Sequence, residues 1–236
     1  MAHPAPNKFR NRILNGLAPN DRTLVQQHLR PVALPRHKTL ETANKKIDYI
    51  YFPDCGLVSL VGGPTKAGRE VEIGIIGSEG MTGLPVIYGD DRSPHRMFMQ
   101  IAGDGHRIPA NILRRAFDQS VTLRRRLLKY AQAFVIQTTY TAIANARGTL
   151  QQRLSRWILM GGREIPMTHE FLSLMLAVRR PGVTEALHGL AHNGIITHSR
   201  GTVVVLDRKG LIECAAGLYG IPESEYKRVI GKPTGL

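Results

Sequence analysis

Cysteine is scarce in this chain: two in 236 residues, Cys55 and Cys214, far apart. Such a pair supplies neither a disulfide framework nor the clustered ligands of a zinc or iron–sulfur site. No stretch approaches the ~18 apolar residues that span a bilayer, and the opening MAHPAPNKFRNR lacks the apolar core of a secretory signal. A soluble, cytoplasmic protein with no membrane partner is the expectation. The usual catalytic signatures are missing as well. There is no glycine-rich phosphate loop after a strand, no HExxH and no nucleophile-elbow serine, so an enzyme is not expected. Acidic side chains are the last scarcity, 18 against 32 Lys and Arg.

What is present is a chain 42% hydrophobic and 21% charged, enough to bury a core and too apolar for disorder. Its net charge of +14 and pI near 10.3 favour a polyanionic partner, nucleic acid before membrane. The excess is uneven. Residues 1–112 carry 14 basic and 10 acidic side chains, residues 113–162 carry 9 and 1, and residues 163–236 carry 9 and 7.

Residues 9–30 read as two packing helices, with Ile13, Leu14 and Leu17 on one patch, a break at Pro19, then Leu24, Val25 and Leu29 until Pro31. From Val32 to Ile108 the texture is short β-runs between Gly and Pro turns: 47–52, 57–61, 70–76 and 97–101, with a turn at 62–64. That spacing predicts an antiparallel sandwich or barrel. From Pro109 the pattern is helical for about fifty residues. Leu127, Ala131, Phe134, Thr138, Thr141 and Asn145 follow a 4-3-4-3-4 spacing, the seam of a coiled coil, and predict a dimer axis. A core helix folded on its own sheet is the other reading. Gly148 marks a hinge, and Leu150, Leu154, Trp157 and Ile158 form a further amphipathic helix.

Residues 168–190, THEFLSLMLAVRRPGVTEALHGL, read as two helices about a tight turn. Leu172 and Leu176 face inward from the first helix, and Val183, Leu187 and Leu190 from the second. Thr168 can cap the first helix. Ala177 is small where crossing helices leave little room. Arg179 and Arg180 enter the second helix, and Pro181 fits its first turn. An ordinary helical hairpin with two surface arginines is the alternative. Residues 195–197 and 202–206 flank a turn at 199–201 and predict a β-hairpin wing, and Asp207 caps another helix. His188 and His192, four apart, have no third metal ligand in view and are read as surface histidines.

This order, with YIYFPDCGLVSLV (49–61), GSEGMTGLP (77–85) and the 168–190 segment followed by GIITHSRGTVVVLD, resembles the Crp/Fnr family of cyclic-AMP-receptor-like bacterial transcription regulators. The resemblance implies an α+β architecture in three parts. Residues 1–112 would hold N-terminal helices and a cyclic-nucleotide-binding-like jelly roll, 113–147 a dimerisation helix, and 148–236 a winged helix-turn-helix. It implies a homodimer on an inverted-repeat DNA operator, with RNA polymerase as a further partner. Arg180, Pro181 and Glu185 fall at the base-reading positions, Arg180 where a guanine-reading arginine is common. Thr168, His169, Arg179 and Arg200 fall at phosphate contacts.

The candidate effector pocket is Gly80, Met81, Thr82, Gly83, Arg92 and Ser93. Met81 stands where cyclic-nucleotide binders of the family carry a ribose-binding Glu, and a thioether cannot replace it, which argues against cyclic AMP. Two distant cysteines argue against an iron–sulfur cluster, and nine histidines leave haem open. No cofactor is expected. A small-molecule sensor acting through protein contacts, with vestigial DNA binding, is the competing function.

Overall fold

The computed structural model describes residues 9–63, 70–199 and 201–231. It opens with α1 (Arg12–Asn15) and α2 (Pro19–Gln26). Asn11, wholly buried, starts α1: its Oδ1 accepts from the N–H groups of Ile13 and Leu14 at 3.0 and 3.2 Å. Its Nδ2 donates to the carbonyls of Pro53 (2.9 Å) and Gly80 (2.7 Å), so one side chain ties the N-terminal helix to two β-turns.

Seven strands and one helix follow: β1 (Arg30–Leu34), β2 (Thr39–Glu41), β3 (Tyr49–Pro53), β4 (Leu57–Gly62), β5 (Val71–Ile76), α3 (Leu84–Tyr88), β6 (Arg96–Ile101) and β7 (Gly103–Pro109). They form two sheets, ordered β1-β7-β3 and β2-β6-β4-β5. The β-roll expected from 32 to 108 is present, and three of its strands have no alternating pattern to announce them. Pro31, expected to end a helix, lies inside β1, which is tolerated because β1 is an edge strand. GDGHRIP, which carries no strand signal, is β7. A Cβ on Gly103 or Gly105 would stand 2.2 Å from the Cys55 carbonyl oxygen or 2.3 Å from that of Phe52, so glycine is what lets β7 approach.

Helices α4 (Ala110–Gln119) and α5 (Val121–Arg147) come next, then α6 (Leu150–Gly161), β8 (Glu164–Ile165), α7 (His169–Met175), α8 (Arg180–His192), β9 (Ile196–Ser199), β10 (Thr202–Val205), α9 (Arg208–Cys214) and α10 (Ile221–Ile230). A three-stranded sheet β8-β10-β9 completes the second half. Thr149 and Gln152 form a reciprocal capping box on α6, which explains the break after Arg147.

The chain divides into two compact units, and they do not follow chain order. Among the described residues, one holds 9–60, 75–132 and 229–231, and the other 61–63, 70–74, 133–199 and 201–228. In the first, Ile13, Leu14, Leu17, Val25, Phe52, Ile108, Leu113, Leu123 and Leu127 meet in one apolar core. In the second, Leu154, Ile158, Leu172, Val183, Leu187, Leu190 and Leu211 are all fully buried. Among the described residues no helix is long and apolar enough to cross a membrane.

The structure corrects the seam on α5. Leu127, Ala131, Phe134 and Thr141 are buried within the protomer, Thr138 is half-buried, and only Asn145 is exposed. That face packs on its own chain, Leu127 against the N-terminal helices. The face one residue further round is the open one. Val121, Arg125, Leu128, Gln132, Val135, Thr139, Ala142 and Ala146, again in 4-3 alternation, are every one exposed. Their apolar members Val121, Leu128 and Val135 are 56%, 43% and 47% accessible.

Candidate nucleic-acid interface

α7 begins where Thr168 Oγ1 accepts the Phe171 N–H at 3.2 Å. It ends in a Schellman turn: Val178 N–H donates to the Ser173 carbonyl at 2.9 Å and Ala177 N–H to that of Leu174 at 3.1 Å. Ala177 occupies the left-handed position of this turn, φ +50°. Its small size serves that conformation, rather than helix crossing, and costs about 1 kcal/mol relative to glycine. The turn aims α8 across α7, and Val183, Leu187 and Leu190 hold it there with no exposed area.

Arg179, Arg180, Pro181 and Glu185 all lie exposed along the first two turns of α8. No side chain caps the helix at Arg179, and Pro181 sits in its first turn. Thr168 is exposed beside them, and His169 is half-buried with Nδ1 3.0 Å from Thr184 Oγ1. Burial lowers the His169 pKa from its ordinary value, helped by the nearby His198, Arg180 and His188. The predicted reading and contact residues are thus gathered on the two helices of one turn, while Arg200 lies outside the described residues. β9 and β10 pair from Thr202↔Ser199 to Val205↔Ile196, the expected wing.

Residues 152–214 match the family model of the Crp-like helix-turn-helix domain. That segment is a Crp-like helix-turn-helix domain. Solved structures agree on the fold. A protein of Eubacterium rectale assigned to the crp/fnr family of transcriptional regulators aligns with 86% of this chain and 97% of its own, at 18% identity and TM-score 0.67. FixK2 of Bradyrhizobium japonicum aligns over 79% and 96%, at 14% identity and TM-score 0.68. A CRP-family transcriptional regulator of Thermus thermophilus aligns over 79% and 97%, at 17% identity and TM-score 0.63. Among curated protein sequences no match was found.

The candidate effector residues are placed unequally. Gly80, Met81, Thr82 and Gly83 form a tightly held turn. Met81 and Thr82 are wholly buried, and the Met81 carbonyl accepts from the Tyr130 hydroxyl of α5 at 3.0 Å. Thr82 Oγ1 accepts the Tyr51 N–H at 3.0 Å. Gly83, at φ +75°, donates its N–H to Glu41 Oε1 at 2.6 Å. Ser93 is buried and its Oγ accepts the His95 N–H. Arg92 is exposed, and its guanidinium pairs with Asp91 at 3.1 Å.

Glu41 carries no mark in the sequence. Nothing in TLE announces burial, yet the residue is 4% exposed on β2 beneath the Gly83 turn. Burial raises its pKa to about 7, against the pull of the Gly83 N–H and the Thr82 hydroxyl. Tyr130 is likewise unmarked, one of three aromatics on a long helix.

In the second unit, Trp157 Nε1 donates to Glu72 Oε1 at 2.6 Å with both residues buried. The pair ties β5 to α6, the helix that packs on α8. Arg156 beside it donates to the carbonyls of Leu218 (3.1 Å) and Gln137 (3.4 Å). Burial lowers the Arg156 pKa, opposed by the charges of Glu223 and Glu72. Trp157→Phe keeps an aromatic ring in place and withdraws one donor from a buried carboxylate, so it is expected to destabilise the protein by about 1–3 kcal/mol. Urea unfolding would measure it, and an unchanged midpoint would show that the bond contributes nothing net.

Proposed function

We propose that this protein is a Crp/Fnr-type transcription regulator that acts as a homodimer in the cytoplasm, reading an inverted-repeat operator and reporting to RNA polymerase. The observation that carries the reading is the placement of Arg180. It is exposed at the start of α8, on a helix whose inner face is fully buried and whose direction a Schellman turn fixes. A guanidinium fork there suits the O6 and N7 acceptors of guanine. Pro181 has no hydrogen-bonding side chain, so direct readout falls chiefly to Arg180, with Glu185 available to a cytosine amino group. Thr168, His169 and Arg179 are assigned to phosphates, which position the helix without specifying sequence.

The open stripe on α5 supports the dimer. Two copies joined along it would present two α8 helices to half-sites about one helical turn (~34 Å) apart. Cyclic AMP is not proposed as the switch, because Met81 is an apolar, wholly buried residue and Arg92 is engaged at the surface by Asp91.

Selection of bound sequences from a random duplex pool tests the reading, with an inverted repeat as the expected product. Arg180→Ala is expected to cost about 1–3 kcal/mol per half-site and to relax preference at one base pair in each. Enrichment of no repeat would leave the competing sensor with protein contacts as the better description. Native mass spectrometry of freshly purified protein would report the dimer and any retained ligand together.

A further inference from the structure

Three segments of the second unit each bring one histidine to the same place. His198 of β9 lies between the other two. Its ring centroid is 5.4 Å from that of His169, with the planes at 58°, and 5.2 Å from that of His188, with the planes at 29° in a stacked arrangement. His169 is the first residue of α7, His188 is exposed on α8, and His169 and His198 are half-buried. Rings stacked in this way do not aim their nitrogens at a common point. Among the described residues no three His, Cys, Asp or Glu side chains are grouped to hold a metal ion.

The hydrogen bonds leave one nitrogen of His169 to titrate. The Thr184 hydroxyl donates to the Arg180 carbonyl at 3.2 Å, which uses its single proton. The 3.0 Å contact between Thr184 Oγ1 and His169 Nδ1 is then made by a hydrogen on the histidine, and Nε2 carries the free lone pair.

The groups acting on His169 are Arg180 and His188 from α8 and His198 from β9, all cationic when protonated. The carboxylates on the two helices, Glu170 and Glu185, are exposed. β10, TVVV, brings no titratable group. A proton added to this cluster therefore meets positive neighbours in the free protein, and the natural compensation is an anion from outside.

We propose that His169, His188 and His198 form a proton-linked contact with the phosphate backbone, so that affinity for duplex DNA rises as pH falls through the histidine range. The inference rests on the DNA-reading role of α7 and α8. The sign follows from linkage. Bound phosphate favours the imidazolium over the neutral ring, so binding takes up protons, and by reciprocity protons strengthen binding. The gain ends once the rings are already protonated in the free protein. Each pKa unit by which phosphate raises one ring is worth about tenfold in affinity. The cluster would thus add an acid-dependent increment to a contact that arginines make at every pH.

The experiment measures binding of the full-length protein to a mixed-sequence duplex and to a duplex enriched by selection, at constant ionic strength. Readings are taken at about pH 6 and about pH 8, across the histidine range. About tenfold tighter binding at the lower pH is expected on both duplexes, because phosphates are common to both. The triple variant His169→Gln, His188→Gln, His198→Gln is expected to flatten that ratio, with circular dichroism at both pH values checking its fold.

Calorimetry of the unaltered protein in two buffers of different ionisation enthalpy counts the protons directly and needs no variant. Net uptake per protomer at about pH 7 supports the proposal. A flat pH dependence, zero uptake, or an acid enhancement that survives in a folded triple variant would overturn it. Failure to bind either duplex at either pH would instead overturn the DNA-reading role itself, and this inference with it.

Discussion

Leu128→Glu combined with Val135→Glu is expected to leave the protein folded, monomeric and weakly bound to its operator. Both side chains are nearly half accessible on the outer face of α5 and contribute little to the protomer's own core. They stand seven apart with Val121 and Ala142 in the same row, between Arg125, Gln132, Thr139 and Ala146. Facing a second copy, two glutamates would meet two more across the axis, where like charges repel in a partly dehydrated seam. A monomer engages one half-site. The second half-site then loses its intramolecular advantage, so operator affinity is expected to fall on the order of a hundredfold or more.

Sedimentation would give the mass, and anisotropy with the selected operator the affinity. A variant that stays dimeric and binds normally would place the dimer axis elsewhere. The paired control Leu127→Glu is expected to unfold the first unit instead, since that residue is 1% exposed in its core.

The other large effect is a pH dependence of stability set by Glu41. Its folded-state pKa is about 7 against an ordinary 4.5. A carboxyl raised in this way binds its proton more tightly in the folded than in the unfolded chain. Its contribution is therefore fully present below about pH 4.5 and is lost as pH rises through about 7. The difference corresponds to about 3 kcal/mol, an upper figure for a group this buried.

Glu41→Gln keeps an oxygen for the Gly83 N–H and has nothing to ionise. Wild type is expected to lose stability relative to this variant between about pH 5 and about pH 8. Urea unfolding at the two pH values checks it. Parallel losses in the two proteins would mean that Glu41 does not ionise differently on folding. The measurement also bears on the turn of residues 80–83, because Gly83 is held by this carboxyl and Met81 by Tyr130.

The reading helices are legible in the sequence because their signals are local. Thr168 caps, Pro181 begins, and Val183, Leu187 and Leu190 repeat at a helical period, all within one short segment. The long helix is legible too, but its open face is not. α5 carries two apolar rows one residue apart, and the stronger, with Leu127 and Phe134, reads as the intermolecular seam. Hydrophobic strength shows that a face is buried and does not show against what. The protomer's own fold claims the stronger row and leaves the weaker one, with Leu128 and Val135, exposed.

β7 is illegible for a related reason. Its glycines are there to pass close to Cys55 and Phe52, a requirement that exists only once β3 is its neighbour.

By itself, then, the sequence determined the features that near neighbours dictate: helix and strand periods, caps, turns, the absence of catalytic and membrane signatures, and the arginine at the head of α8. Tertiary structure alone decided the features that depend on residues far apart in the chain. It chose which row of α5 stays open, set Glu41 under Gly83 and Trp157 against Glu72, and gathered His169, His188 and His198. Burial and electrostatics act through space, and only the folded chain sets those distances.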